Sequence, residues 1–245
     1  MTRLNETILK YNAMVPRYTS YPTAPHFSEK VNANTYRNWL QELPEGTGLS
    51  LYLHIPFCPK LCWYCGCHTK MTQRYAPVED YIHLLKREIR IVRDLVGEGR
   101  TVEHIHFGGG SPTILSAEDF TMIMEEIRKQ FHIDADAEIA IEIDPRGVTE
   151  SKAAAYASCG INRASIGAQD FHKQVQEAIN REQPFHVVYD AARLLQQHGI
   201  ESINLDLMYG LPHQTVEGVG ENITYALAFN PSRIALFGYA HVPWM

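Results

Sequence analysis

No run of this 245-residue chain reaches the roughly eighteen apolar residues that span a bilayer, and no block of Lys or Arg breaks up a formal net charge of −6. The first absence excludes a helical membrane span, and the second argues against a nucleic-acid surface. No low-complexity segment and no internal repeat occurs, and 45% hydrophobic with 20% charged residues is ordinary for a globular chain. The 12 histidines show no H-x₃-H pair, so none is assigned to a metal. Cysteine is scarce, with five in all. With no secretory signal to read, a disulfide framework is not expected, and the compartment should be reducing and cytoplasmic. The partner is expected to be a small molecule or another protein, and the chain itself a monomer.

What is present is concentrated. Four of the five cysteines, Cys58, Cys62, Cys65 and Cys67, lie in the run CPKLCWYCGC at 58–67, directly after the strand-like stretch 49–55. A C-x₃-C-x₂-C spacing puts three soft thiolates on one loop, enough to hold three irons of a [4Fe–4S] cube and leave the fourth iron open to a substrate. Zinc is the competing ligand, yet structural zinc sites usually draw two C-x₂-C-like pairs from separate segments, and no second pair exists here. Cys159, in an Ala-rich helical stretch, reads as a buried inert thiol.

From residue 49 onward, short apolar runs alternate with longer segments of helical period, the pattern of repeated βα units around a parallel sheet. Six strands are expected, at 49–55, 102–107, 137–143, 163–168, 202–208 and 233–239, each nearly continuous in apolar residues, with five helical segments between them. The first helix carries Val78, Ile82, Leu85, Ile89, Val92 and Val96 on one stripe, with Lys86, Arg87, Glu88 and Arg93 mostly off it. Ser116 to Asp119 reads as a capping box opening the second. The fold class is therefore α/β, either an open sheet or a partial (β/α)6 barrel; periodicity does not choose between them. Residues 1–48 read as an amino-terminal arm packing over the domain, Tyr- and Pro-rich at 11–24 and then briefly helical near 36–43, and residues 49–245 as the core. The chain ends at 241–245 straight after the sixth strand, which looks like a truncation.

Each remaining candidate falls at the carboxyl end of a strand, where such folds bind ligands. The glycines of GGGSP at 108–112 let a backbone approach a ligand closely. No Gly-Lys-Ser/Thr follows, which rules out a phosphate loop, although a plain turn stays open. Glu142 and Asp144 close the third strand, Gln169 and Asp170 follow the fourth, and Asp206 lies within the fifth. Together they suit ribose hydroxyls and an ammonium group; singly, each serves equally well as a helix cap. Arg181 offers a bidentate partner for a carboxylate, but on sequence alone solvation at the surface is the stronger expectation for it.

The cysteine run after one strand and Gly108–Gly110 after the next resemble the radical S-adenosylmethionine enzymes. Within them, the arm PRYTSYPT at 16–23, the extra Cys67 and the run LDLMYGLP at 205–212 resemble the oxygen-independent coproporphyrinogen III oxidase family, over roughly its amino-terminal half. The resemblance implies cluster ligands at Cys58, Cys62 and Cys65, with Cys67 not a ligand. It implies contacts to two S-adenosylmethionine molecules at Tyr52, Tyr64, Gly109, Gly110, Ser111, Glu142, Gln169, Arg181, Asp206 and Ala240. Ser111 stands where threonine is common, and Tyr64 where phenylalanine also occurs. The implied reaction is decarboxylation of two propionates of coproporphyrinogen III to vinyl groups, giving protoporphyrinogen IX in haem biosynthesis. The implied electron source is a reducing protein such as a flavodoxin or ferredoxin. A related haem-binding chaperone is expected to lack both Cys67 and the arm.

Overall fold

The computed structural model describes residue 6, residues 9–10, residue 23 and residues 26–240. Apart from Thr23, the arm motif at 16–23 lies outside the described residues, as does the stretch 241–245. The chain divides into two compact units, Met1–Leu43 and Pro44–Met245. In the first, α1 (Ala33–Gln41) is capped by Asn32, whose Oδ1 accepts from the backbone N–H of Asn34 at 2.9 Å and of Thr35 at 3.2 Å.

The second unit is built on six parallel strands: β1 (Leu49–Ile55), β4 (Thr101–Gly109), β5 (His132–Ile143), β6 (Arg163–Gln169), β7 (Ser202–Tyr209) and β8 (Arg233–Gly238). A small parallel pair, β2 (Phe57–Cys58) and β3 (Lys70–Met71), brackets the cysteine loop. The helices between the strands are α2 (Ala76–Val96), α3 (Ala117–Gln130), α4 (Glu150–Ser158), α5 (Lys173–Ala178), α6 (Phe185–Gln197) and α7 (Val216–Leu227). All six expected strands form. The interval after β6 holds two helices rather than one, because the chain turns at Ile179–Arg181 on its way to α6.

The order of the sheet is β1-β4-β5-β6-β7-β8. Every crossover therefore steps one strand in the same direction. With crossovers of one hand, this winding puts every helix on the same face of the sheet, whereas a doubly wound sheet must reverse its order to cover both. Consecutive helices accordingly pack side by side, α2 on α3 and α3 on α4. Among the described residues β8 does not pair with β1. The architecture is an open, partial barrel, which settles the choice that periodicity leaves undecided.

Singly wound topology also explains why the strands alternate instead of running apolar throughout. In β6, Ala164, Ile166 and Ala168 are buried under the helices, while Arg163, Ser165 and Gln169 are part-exposed. In β5, Ile139, Ile141 and Ile143 face the core and Glu138 and Glu142 do not. The sequence expectation of continuous apolar strands assumed helices on both faces; with the described helices of this unit on one face only, the inner positions stay polar.

The outer layer follows from the helix stripes. Val78, Ile82, Leu85, Ile89 and Val96 of α2 are buried as the period requires, and Val92 partly so. Phe120 of α3 is fully buried between Phe107 and Tyr156, with ring centroids 4.8 and 4.7 Å away. Arg90 of α2 forks onto Glu126 of α3 at 2.7 and 2.9 Å, tying the two helices. The cap of α3 is a variant of the expected box. Ser116 Oγ accepts from Asp119 N–H at 3.0 Å, but the Ser116 N–H donates to Tyr75 Oη at 2.8 Å, and Tyr75 in turn donates to the Asp119 carboxylate. Cys159 is buried at the end of α4, as expected of an inert thiol.

Candidate active site

At the carboxyl ends of the strands lies a cavity of about 230 Å³, and the cysteine loop forms one wall of it. Cys58, Cys62, Cys65 and Cys67 line this cavity together with Tyr64, Gly109, Gly110, Ser111, Glu142, Gln169, Arg181 and Asp206. Of the residues that the family resemblance marks as cofactor contacts, two lie elsewhere. Tyr52 is 58% exposed on the inner face, with its ring stacked on His106, and Ala240 is exposed after β8.

The glycine turn owes its composition first to the chain itself. A Cβ on Gly110 would fall 2.3 Å from Thr69 Oγ1, 2.7 Å from the Phe57 carbonyl oxygen and 3.0 Å from Cys58 Sγ. Gly109 has φ +117, a region L side chains rarely enter. The Gly110 N–H donates to the Ile55 carbonyl at 2.8 Å. Glycine at 110 thus lets the second βα turn pass directly beneath the cysteine loop. Ser111, buried just beyond, shares a 2.7 Å hydrogen bond with Thr113 Oγ1.

Glu142 reaches across from β5. One carboxylate oxygen accepts from the Gly109 N–H at 3.2 Å, and the other lies 3.2 Å from His106 Nε2. Asp206 is held from below, where Ser165 Oγ donates to one of its oxygens at 2.9 Å and Asn204 Nδ2 to the other at 2.7 Å. Burial raises the pKa of Asp206 and these two donors oppose the rise. Gln169 closes β6 in the left-handed region at φ +64, a conformation that costs a non-glycine residue on the order of 1 kcal/mol. Such strain at a strand end beside a cavity marks a constrained site. Asp170, the other candidate there, is fully buried but serves the scaffold; it accepts from Gln214, Asn222 and His172.

Arg181 corrects the expectation of a solvated side chain. It is 9% exposed. Nη2 donates to the Gly167 carbonyl at 2.9 Å, Nη1 to Cys62 Sγ at 3.5 Å, and the guanidinium lies 3.7 Å from the Asp144 carboxylate. Burial alone lowers its pKa, but Asp144, Tyr64 and Cys62 outweigh it, so the group stays cationic. Its Nε is buried with no hydrogen-bond partner among the described residues. A buried donor left over on a cation beside a cavity is the signature of a site built for an anionic group. The sequence conceals this because Asp144 and Gly167, which hold Arg181, come from two other strand ends.

The thiols are not equivalent. The Cys67 thiol, on an exposed residue, hydrogen-bonds to Cys65, which lowers the Cys65 pKa to about 6 with further help from Arg181 and raises that of Cys67. Burial raises the pKa of Cys58, and a 3.3 Å hydrogen bond from Thr69 Oγ1 opposes it. Among the described residues, no three His, Cys, Asp or Glu side chains gather around one ion position. Three thiols spread along one wall, with the Arg181 guanidinium behind them, fit a polynuclear cluster in which each iron takes one thiolate.

Residues 52–226 match the model of the radical SAM superfamily. The chain belongs to that superfamily. Radical SAM proteins carry a [4Fe–4S] cluster and S-adenosylmethionine, and the wall of thiols, the unpaired Arg181 Nε and the ring of carboxylates suit both. The chain is 50% identical to the oxygen-independent coproporphyrinogen III oxidase of Bradyrhizobium diazoefficiens over 229 residues, 94% of this chain and 51% of that protein. With the Escherichia coli enzyme of that name it shares 41% identity over 236 residues, 96% of this chain and 51% of the other. The solved coproporphyrinogen III oxidase of Escherichia coli, described as a radical SAM enzyme, superposes with a TM-score of 0.88 at 38% identity, covering 98% of this chain and 53% of that one. The chain thus spans about half the length of the curated relatives it matches.

Sequence reasoning named Asp144 but missed Lys60, Ser165, Gly167 and Asn204 as members or supports of this cavity. Only alternation along β6 and β7, which puts Ser165 beside Gly167 and Asn204 beside Asp206 on one face, carried a signal for them.

Proposed function

We propose that this chain is the catalytic portion of an oxygen-independent coproporphyrinogen III oxidase, with residues 49–245 as its core and residues 1–48 as an amino-terminal arm. Its reaction is the oxidative decarboxylation of two propionates of coproporphyrinogen III to vinyl groups in haem biosynthesis. One observation carries this reading: in a chain 50% identical to an enzyme of that name, the three thiols, the glycine turn, Glu142, Gln169, Arg181 and Asp206 line a single cavity.

In this reading Cys58, Cys62 and Cys65 are the cluster ligands, and Cys67 supports Cys65 by its hydrogen bond. Together the reduced cluster and S-adenosylmethionine supply the one-electron chemistry that takes a hydrogen atom from an unactivated propionate carbon, which no protein side chain provides. The residues contribute orientation. Arg181, with Asp144 fixing its charge and its Nε facing no protein acceptor, holds the cofactor's carboxylate. The backbone at Gly109, Gly110 and Ser111 approaches its methionine end, while Glu142, Gln169 and Asp206 receive its donor groups. Tyr64 forms a wall beside the cluster loop. Tyr52 and Ala240, outside the cavity, are S-adenosylmethionine contacts by family resemblance alone, and the family holds two such molecules. Keeping the reacting carbon within reach of the substrate is worth several orders of magnitude in rate. The electron comes from a small reducing protein such as a flavodoxin or ferredoxin, in the cytoplasm.

The test is anaerobic. The cluster is reconstituted and reduced, S-adenosylmethionine is added, and 5′-deoxyadenosine is quantified with and without coproporphyrinogen III. Substrate-dependent release is the expected result; haem binding with no release would point instead to a chaperone.

A further inference from the structure

Four consecutive residues of the cysteine loop are each tied to one of four consecutive residues that follow α5. Lys60 Nζ lies 3.5 Å from the Glu182 carboxylate, the Leu61 carbonyl accepts from Asn180 Nδ2 at 2.7 Å, Cys62 Sγ accepts from Arg181 Nη1 at 3.5 Å, and the Trp63 N–H donates to the Ile179 carbonyl at 3.0 Å. The exposed Lys60–Glu182 pair contributes little, because water and salt screen it. The other three contacts fix a ligand and both of its neighbours.

The gripping segment is itself rigid. Ile179 is buried with Val175 and Leu211, and Tyr64 of the cysteine loop packs against that cluster. Backbone N–H groups of Ile179, Asn180 and Arg181 donate to the carbonyls of Val175, Glu177 and Gln176 at 3.1, 3.2 and 2.9 Å. The loop leans on a surface fixed by packing and backbone bonds, so its own shape need not be fixed by its sequence. Asn180 is the pivot. It sits in the left-handed region at φ +56, which asparagine tolerates better than most side chains, and from there its amide reaches back to the Leu61 carbonyl.

We propose that Asn180 is a positioning residue for the cluster: its amide holds the Leu61 carbonyl, and so sets Cys62 at the distance and angle at which its thiolate meets iron. This inference rests on the reading of Cys58, Cys62 and Cys65 as cluster ligands. It differs from the role given to Arg181, which meets the cofactor; Asn180 acts only through the loop. Supports one bond removed from a metal ligand typically change metal retention by about 10- to 100-fold.

Three variants separate the backbone from the amide. Asn180→Gly keeps the left-handed turn and loses the amide, Asn180→Asp keeps size and turn but replaces the donor with an acceptor facing a carbonyl, and Asn180→Ala loses both turn preference and donor. Each is purified in its full chain and reconstituted anaerobically. Iron release to a ferrous chelator is then timed, and the visible circular dichroism of the cluster is recorded. Asn180→Gly and Asn180→Asp should release iron about 10- to 100-fold faster than wild type, with an altered cluster spectrum. Unfolding temperatures of their cluster-free forms should stay within about 2–4 °C of wild type. Wild-type release and spectrum in Asn180→Gly would overturn the inference while leaving the ligand assignment intact. A wild-type protein that takes up no iron at all would overturn both.

Discussion

The two faces of the parallel sheet solve different problems. The outer face, under α2 to α7, is apolar and closed: Ile141, Ile166, Leu205 and Phe107 are fully buried, and the ion pair between α2 and α3 lies at its rim. The inner face carries Tyr52, His106, Glu142, Ser165, Asn204 and Asp206, which satisfy one another in short networks yet leave half of Tyr52 open. Burial of apolar surface near 25 cal/mol per Å² supplies the stability, and it comes from the outer face. The inner face can then hold carboxylates and a strained Gln169 at a cost the outer layer offsets. Stability and chemistry are divided between the two sides of the same strands.

Substitutions on the two faces should therefore separate folding from cluster and ligand binding. The largest effect is expected at Phe120. Phe120→Ala opens a cavity between Phe107 and Tyr156 and should destabilise the cluster-free protein by about 3–5 kcal/mol in urea unfolding. A loss below about 1 kcal/mol would mean that the outer layer repacks freely. Next comes Gly110, which sits where the faces meet. Gly110→Ala drives a methyl into the Phe57 carbonyl and Thr69, and should cost about 1–3 kcal/mol while lowering the iron bound after reconstitution. Unchanged iron content would show that the crossing of the two turns tolerates more than the contact distances allow.

On the outer face, the fork of Arg90 onto Glu126 lowers the Glu126 pKa from 4.5 to about 2, chiefly through the hydrogen bond. A depressed carboxylate pKa stabilises the fold above its unfolded value and loses that contribution as pH falls through the folded value. Glu126→Gln should thus be less stable than wild type by about 1–2 kcal/mol at neutral pH, the exposed Arg90 side chain limiting the effect. The gap should close as pH falls from 4.5 toward 2. Unfolding of the cluster-free proteins across that range would reveal it; a pH-independent gap would point to packing instead. The smallest stability change belongs to the loop. Cys62→Ser and Cys67→Ser should each unfold within about 0.5 kcal/mol of wild type without cluster, yet only Cys62→Ser should abolish cluster assembly, as read by iron and acid-labile sulfide. Equal iron loss in both would overturn the ligand assignment.

Much of the fold was legible because strand and helix periods are local. The six strands lie where apolar runs stand between helical segments, and the α2 stripe buries the residues that the 3.6-residue period selects. The cysteines and the glycine turn were legible as chemistry because spacing and composition suffice. Arg181 was misread as solvated because its burial depends on Asp144 and Gly167, neither of them near it in sequence. Asn180 gave no signal for the same reason: its amide acts on Leu61, a segment far along the chain.

The sequence by itself determined the α/β class, the number and position of the six strands of the main sheet, and a loop able to hold three irons, because each follows from local spacing. Only the tertiary structure decided that the sheet winds in one direction, with its helices on one face, and that thiols, carboxylates and a buried guanidinium share one cavity. Strand order and the approach of distant loops are set by which apolar faces pack together across the whole unit, a global free energy that no short window of sequence contains.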